Sequence, residues 1–240
     1  MSRQQPEQQA PPVQRLRIRY AKRGRLRFTS HRDVSRAIER AVARAGIPMA
    51  YSSGFHPHPR ISYAGASPTG AASEAEYVEL GLAQVRDAAE VRSELDAVLP
   101  EGLDIVEVVD GARSVAGSLT ELLQGSRWRL DLVGADTPEA TAAVERFLAT
   151  ESVPVERMTK KGLRTFDCRA AVVSLEVGPE GELELLLEHG MPAVRPDDVL
   201  AGLREVGGLP ESTTALLTRL AQGPLDRDAT AIGDPLEIRE

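Results

Sequence analysis

The chain has 240 residues, enough for one large domain or two of about 100–120 residues each. Its single cysteine, Cys168, excludes an intramolecular disulfide and a cysteine-ligated iron–sulfur cluster built by this chain alone. A net charge of −7 argues against a uniformly basic nucleic-acid binder. Hydrophobic residues make up 42% of the chain and aromatics only 4%, so its cores must be built from Leu, Val, Ile and Ala. No run of about 18 apolar residues is present, and no membrane span is expected. Residues 1–14 have no apolar stretch of the kind a secretory signal needs. They read as a disordered Gln- and Pro-rich tail, which makes a cytoplasmic location the expectation.

Charge is unevenly distributed. Between Arg15 and Tyr63 lie twelve Lys or Arg and two acids, Asp33 and Glu39, so the segment carries +10 and the rest of the chain −17. Such asymmetry is the footprint of a local anion-binding face on an acidic body.

In chain order, Arg15 to Tyr20 alternates basic and apolar residues, as a half-buried strand does. Arg25-Leu26-Arg27-Phe28 resumes the alternation after a turn at Lys22-Arg23-Gly24, which predicts a hairpin or bent strand. Ser30 and Asp33 have capping-box spacing. The helix they open runs to about Ala45 and stops at Gly46. Val34, Ile38, Ala41, Val42 and Ala45 form its apolar stripe. Arg32, Arg36, Arg40 and Arg44 are four apart and form a ridge whose like charges repel by a few tenths of a kcal/mol per pair. Ile47 to Ser52 reads as a short strand. Phe55 to Arg60 must be extended, because residues before proline avoid helical geometry. Further strands are expected at Ile61–Tyr63, Glu76–Leu82 and Leu103–Val109, with a helix at Asp87–Leu99. The order matches a ferredoxin-like β-α-β-β-α-β unit.

A similar pattern follows. Arg127–Leu132 is a strand and Thr137–Ala149 a helix opened by Pro138. Val153–Met158, Phe166–Val177 and Leu183–Leu187 are strands, and Pro196 opens a helix to Val206. Thr213–Leu220 is compatible with a strand or a short helix. The fold class is therefore α+β: two tandem ferredoxin-like domains with extra hairpin strands. The expected boundaries are a first domain at 15–110, a linker at 111–126, a second domain at 127–225 and a polar tail at 226–240.

Three chemistries suit the basic segment. His31, His56 and His58, with Glu74 or Glu76, could hold a metal if the proline loop returned to the helix start. The H-x-H spacing constrains such a site weakly, and the sequence assigns neither metal nor cofactor. His31 with Tyr51 or Tyr63 and Arg60 would supply the base, acid and charge stabiliser for metal-free RNA cleavage. Thirdly, Arg17, Arg19, Lys22, Arg32, Arg36, Arg40, Ser53, Phe55, His56, His58 and Arg60, extended by Lys160 and Lys161, suit phosphate contacts beside stacked bases. Phe28 and Tyr63, as strand aromatics, read first as core. Cys168 has no activating partner in sequence, and no phosphate-binding glycine loop is present.

The segment from Arg19 to Ser62, with its SHRD, ER and AYSSGFHPHPRIS motifs, resembles the radical-SAM-associated family of uncharacterised bacterial proteins. The TKKGLRTFDCR and VRPDDVL segments are similar too, and the likeness spans about residues 13–220. It falls on Ser30, His31, Asp33, Arg36, Glu39, Arg40, Tyr51, Ser52, Gly54, Phe55, Pro57, His58, Pro59 and Ser62, and departs at His56. The resemblance implies a radical S-adenosylmethionine protein as partner, because members occur alone or fused behind such a domain. The doubled ferredoxin-like pattern is also similar, at the level of fold, to CRISPR-RNA-processing endoribonucleases. The expectation is an RNA-binding accessory protein, acting on tRNA or rRNA beside a radical enzyme. The alternatives are a metal-independent ribonuclease using His31 and a module docking an acidic protein.

Overall fold

The computed structural model describes residues 8–159 and 162–238. It is a mixed α/β protein that divides into two compact units, one of residues 1–121 with 235–240 and one of residues 122–234.

The first unit holds β1 (Gln14–Lys22), α1 (His31–Arg44), β2 (Ile61–Ala64), β3 (Ala72–Leu82), α2 (Ala88–Asp96) and β4 (Leu103–Asp110). Its strands pair antiparallel in the order β4-β1-β3-β2. Alternation along β1 sends Leu16, Ile18 and Tyr20 into the core beside Val78, Leu80 and Leu82 of β3, where Val34, Ile38 and Val42 of α1 cover them. Full burial of such side chains is worth about 1.5–3 kcal/mol each. The helix starts where its sequence says it should. The Ser30 hydroxyl accepts from the Asp33 amide at 3.3 Å and donates to the Asp33 carboxylate at 2.7 Å. It stops at Gly46, whose φ of +67° suits glycine, and the Ile47 amide reaches back to the Val42 carbonyl at 3.1 Å.

The second unit contains β5 (Gly125–Val133), α4 (Thr137–Ala149), β6 (Pro154–Thr159), β7 (Gly162–Asp167), β8 (Val172–Val177), β9 (Leu183–Glu188), α5 (Pro196–Glu205) and β10 (Thr214–Gly223). Its strands run in the order β10-β5-β9-β8, and β6 with β7 forms a separate hairpin. A short helical turn, α3 (Leu119–Leu122), precedes it, and the small pair β11 (Leu225–Asp226) and β12 (Ala231–Ile232) follows.

Several local expectations are corrected. Gly24–Phe28 is a 3-10 turn, not a strand, because Gly24 takes a φ of +54° and the Thr29 amide closes onto the Leu26 carbonyl. Ile47–Ser52 forms only isolated bridges, Met49 to Leu82 and Tyr51 to Pro59. Phe166–Val177 is two strands, because the Asp167 carboxylate takes the Val153 and Arg169 amides at 2.9 Å each and bends the chain. Thr213–Leu220 resolves as strand. Residues 111–126 hold buried Ser114, Leu119 and Leu122, and 226–240 holds β12 and the fully buried Leu236.

Candidate functional site

The basic side chains of β1 are consumed by the fold. Arg15 and Arg17 share Glu79 on the neighbouring strand, at 2.7 and 3.3 Å. Arg17 is 6% exposed, and its guanidinium also donates to the Ser114 hydroxyl at 2.9 Å and the Val115 carbonyl at 2.7 Å. Arg19 pairs with Glu107 of β4 at 2.8 Å. Lys22, 3% exposed, donates to the Pro68 carbonyl at 3.2 Å. The sequence placed Arg17, Arg19 and Lys22 on an anion-binding face. The structure instead buries two of them and pairs the third with a carboxylate, because a desolvated cation inside a sheet requires partners.

The basic side chains of α1 behave differently. Arg32, Arg36, Arg40 and Arg44 are exposed. Among the described residues none makes a side-chain hydrogen bond or ion pair, and Glu39 on the same helix pairs with none of them. Ser35, by contrast, is tied to the helix backbone, its hydroxyl donating to the His31 carbonyl at 2.9 Å.

His31 opens this helix and is exposed. Its ring stands edge-on to Tyr63 of β2, with centroids 5.2 Å apart and planes at 85°. Tyr63 is half-buried and donates from its hydroxyl to the Ser35 carbonyl at 3.2 Å. Burial pushes the Tyr63 hydroxyl well above the ordinary tyrosine range; the Ser35 bond opposes that and Glu39 adds to it.

The proline loop is a self-closed hairpin. The Ser52 amide donates to the His58 carbonyl at 2.9 Å and the Arg60 amide to the Ala50 carbonyl at 2.8 Å. The His58 amide bonds the Ser52 hydroxyl at 3.0 Å, and Arg60 Nε donates to the Tyr51 carbonyl at 3.1 Å. Ser53 accepts from the Gln9 amide through its hydroxyl at 2.9 Å. Ala50 and Arg60 root the hairpin on Gly81. Tyr63, which touches His31, lies opposite Val78, about 10 Å further along β3 at the usual strand rise. The hairpin is therefore rooted near the C-terminal end of α1, away from the strand position of Tyr63 and His31.

This placement separates the residues that the metal and cleavage readings needed together. Among the described residues no three His, Cys, Asp or Glu are grouped to hold a metal ion. Arg60 is bonded to Tyr51, and His31 packs on Tyr63 with no contact to either. His56, His58 and Tyr51 are exposed on the hairpin. Glu76 is buried and accepts from the Ser67 amide at 3.0 Å; Glu74 pairs with Arg23. Lys160 and Lys161 lie outside the described residues. Cys168 is buried, which pushes its thiol up to about 12 and keeps it inert.

Sequence reading missed two features. Phe28, expected in the core, is 66% exposed, because the 3-10 turn replaces the strand that would have buried it. A cleft of about 680 Å³ lies between Arg23–Leu26 and Glu101–Asp104. Of its two arginines, Arg23 is already bonded to Glu74 and Asp104, and Arg25 shares the lining with Glu101 and Asp104, so it offers mixed charge and no hydroxyl or thiol nucleophile.

A family model matches residues 15–196, from β1 to the first residue of α5. The chain belongs to the DUF2344 family of uncharacterised proteins conserved in bacteria. The part shared with that family includes the arginine helix, the proline hairpin and the β6–β7 hairpin. No curated protein matches the chain. Among the described residues no helix is long and apolar enough to cross a membrane.

Proposed function

We propose that this protein binds RNA through the exposed face of α1 and serves as the accessory subunit of a radical S-adenosylmethionine enzyme that modifies tRNA or rRNA. One observation carries the RNA reading: among the described residues Arg32, Arg36, Arg40 and Arg44 have no side-chain partner, whereas every Arg and Lys of β1 has one. A row of like charges at four-residue spacing repels itself, and an anionic partner relieves it. Phosphates do so by releasing counterions, which makes binding depend steeply on salt. The radical enzyme rests on the resemblance of the SHRD and GFHPHPR segments. The chain order β-α-β-β-α-β with sheet order β4-β1-β3-β2 supports a ferredoxin-like reading of the first unit. The order β10-β5-β9-β8 supports the same for the second, with β6–β7 as an insertion.

The test is RNA binding by the full chain across a salt series. Arg36→Gln with Arg40→Gln should weaken binding and make log K less steep in log salt by about 1–2, roughly one contact each. Unchanged affinity and slope sink the reading. Co-purification of a radical S-adenosylmethionine protein tests the partner. Capture of that protein with no RNA bound would instead identify the ridge as a protein dock.

A further inference from the structure

The chain has nine aromatic side chains: one Trp, four Tyr and four Phe. Tyr20, Tyr77, Trp128, Phe147 and Phe166 are buried, and Tyr63 is packed against the first core. The three left exposed are Phe28 at 66%, Tyr51 at 46% and Phe55 at 61%. All three flank α1. Phe28 ends the turn that leads into the helix, and Tyr51 and Phe55 lie in the hairpin that follows it. The helix between them is about 21 Å long at 1.5 Å per residue.

Both supports are fixed before any ligand arrives. The Phe28 turn is closed by the Thr29 amide on the Leu26 carbonyl at 3.0 Å and held by Arg27 Nε on the Gly70 carbonyl at 2.8 Å. The Tyr51–Phe55 hairpin is closed by the Ser52–His58 and Arg60–Tyr51 bonds already described. A backbone fixed this way leaves only the two side-chain torsions of each ring to order on binding, which favours them as stacking platforms.

A duplex would leave these rings idle. Its base faces are already stacked on one another, and the deep, narrow major groove of A-form RNA admits no side chains. A single strand offers free base faces, and each stack on an aromatic ring adds affinity with little regard to sequence. We propose that the RNA is single-stranded where it crosses α1. One base stacks on Phe28 at the start of the helix, others stack on Tyr51 and Phe55 at its end, and the intervening phosphates lie on Arg32, Arg36, Arg40 and Arg44. The inference rests on the RNA reading of the helix and names its substrate class.

The experiment compares three probes on the full chain: an unstructured RNA of about 12 nucleotides, within the usual range of site sizes, the same strand in a duplex, and the same backbone without bases. The single strand is expected to bind at least about tenfold tighter than either other probe. Phe28→Ala and Phe55→Ala should each weaken it by about 5- to 100-fold and leave the salt slope unchanged, while Phe28→Tyr should bind as wild type. Both positions are exposed, so circular dichroism will confirm that the variants fold. Equal binding of strand and duplex, or silent alanine variants, overturns the stacking inference and leaves the arginine reading standing. No binding of any probe overturns both.

Discussion

β1 and α1 carry four Lys or Arg each and do opposite things with them. On β1, alternation directs Arg15, Arg17 and Arg19 to the sheet face opposite the core. There Glu79 and Glu107 on adjacent strands and the 114–117 segment meet them. On α1, Arg32, Arg36, Arg40 and Arg44 are exposed, with no side-chain partner among the described residues. Arg17 and Lys22 are desolvated and must be matched within the fold, and Arg15 and Arg19, which keep more solvent, also find carboxylates there. The helix's charges stay hydrated and are free to be matched by something outside it. Density of arginine in a sequence therefore identifies no binding surface; the distribution of internal partners does.

The contrast breaks first at Arg17. Arg17→Met should cost about 3 kcal/mol or more in urea unfolding, because it leaves Glu79 with Arg15 alone and strands the Ser114 hydroxyl and Val115 carbonyl at a nearly buried site. A loss below about 1 kcal/mol would mean that β1's pairs are as dispensable as surface ones. Ser30→Ala should cost about 1 kcal/mol, which would place α1's local stability in its cap and not in its charged ridge.

Histidines repeat the comparison. The exposed ring of His31 makes no hydrogen bond among the described residues. His189 in the second unit has both nitrogens engaged, with the Leu123 carbonyl at 2.7 Å and the Ser126 hydroxyl at 2.8 Å. The same Ser126 hydroxyl accepts from Trp128 Nε1 at 2.8 Å. Desolvation lowers the pKa of His189; the Leu123 bond opposes this, and nearby Arg219 lowers it further. The folded state thus binds this proton less readily than the unfolded chain, whose histidine titrates near 6.5. Its contribution to stability should be complete above about pH 6.5 and fade as pH falls toward the folded value. Melting temperatures between pH 7.5 and pH 5.5 will check this, and His189→Gln should flatten the profile. The smallest effect is expected on α1 itself. Arg36→Gln and Arg40→Gln should change stability by no more than about 0.5 kcal/mol, with a slight gain from relieved repulsion. A larger loss would reveal a structural role for the ridge.

Much of the first unit was legible from short-range pattern. The Ser30 cap, the Gly46 stop and the apolar stripe of α1 are local rules, and alternation located β1. What failed depended on distance. Nothing near Arg17 in the sequence announces Glu79 or Ser114, so its burial was invisible. Phe28 was misjudged because the Arg25–Phe28 alternation fits a strand equally well, and only the left-handed Gly24 turns it into a 3-10 segment. The site was half legible: the arginine ridge follows from helical period, but the distance between His31 and the proline hairpin is set by the register of β2 on β3, which spacing does not encode.

The extra stretch of the first unit has a bearing on biosynthesis. Ser114 forms an isolated antiparallel bridge with Ile238, and Leu236 beside it is fully buried. A ribosome must therefore translate the entire second unit before the first receives these two contacts. Until residue 238 emerges, the nascent chain presents its arginine helix on a unit still lacking them, in a cell crowded with RNA. Domains usually fold in order of synthesis; here the first to appear is the last to be finished.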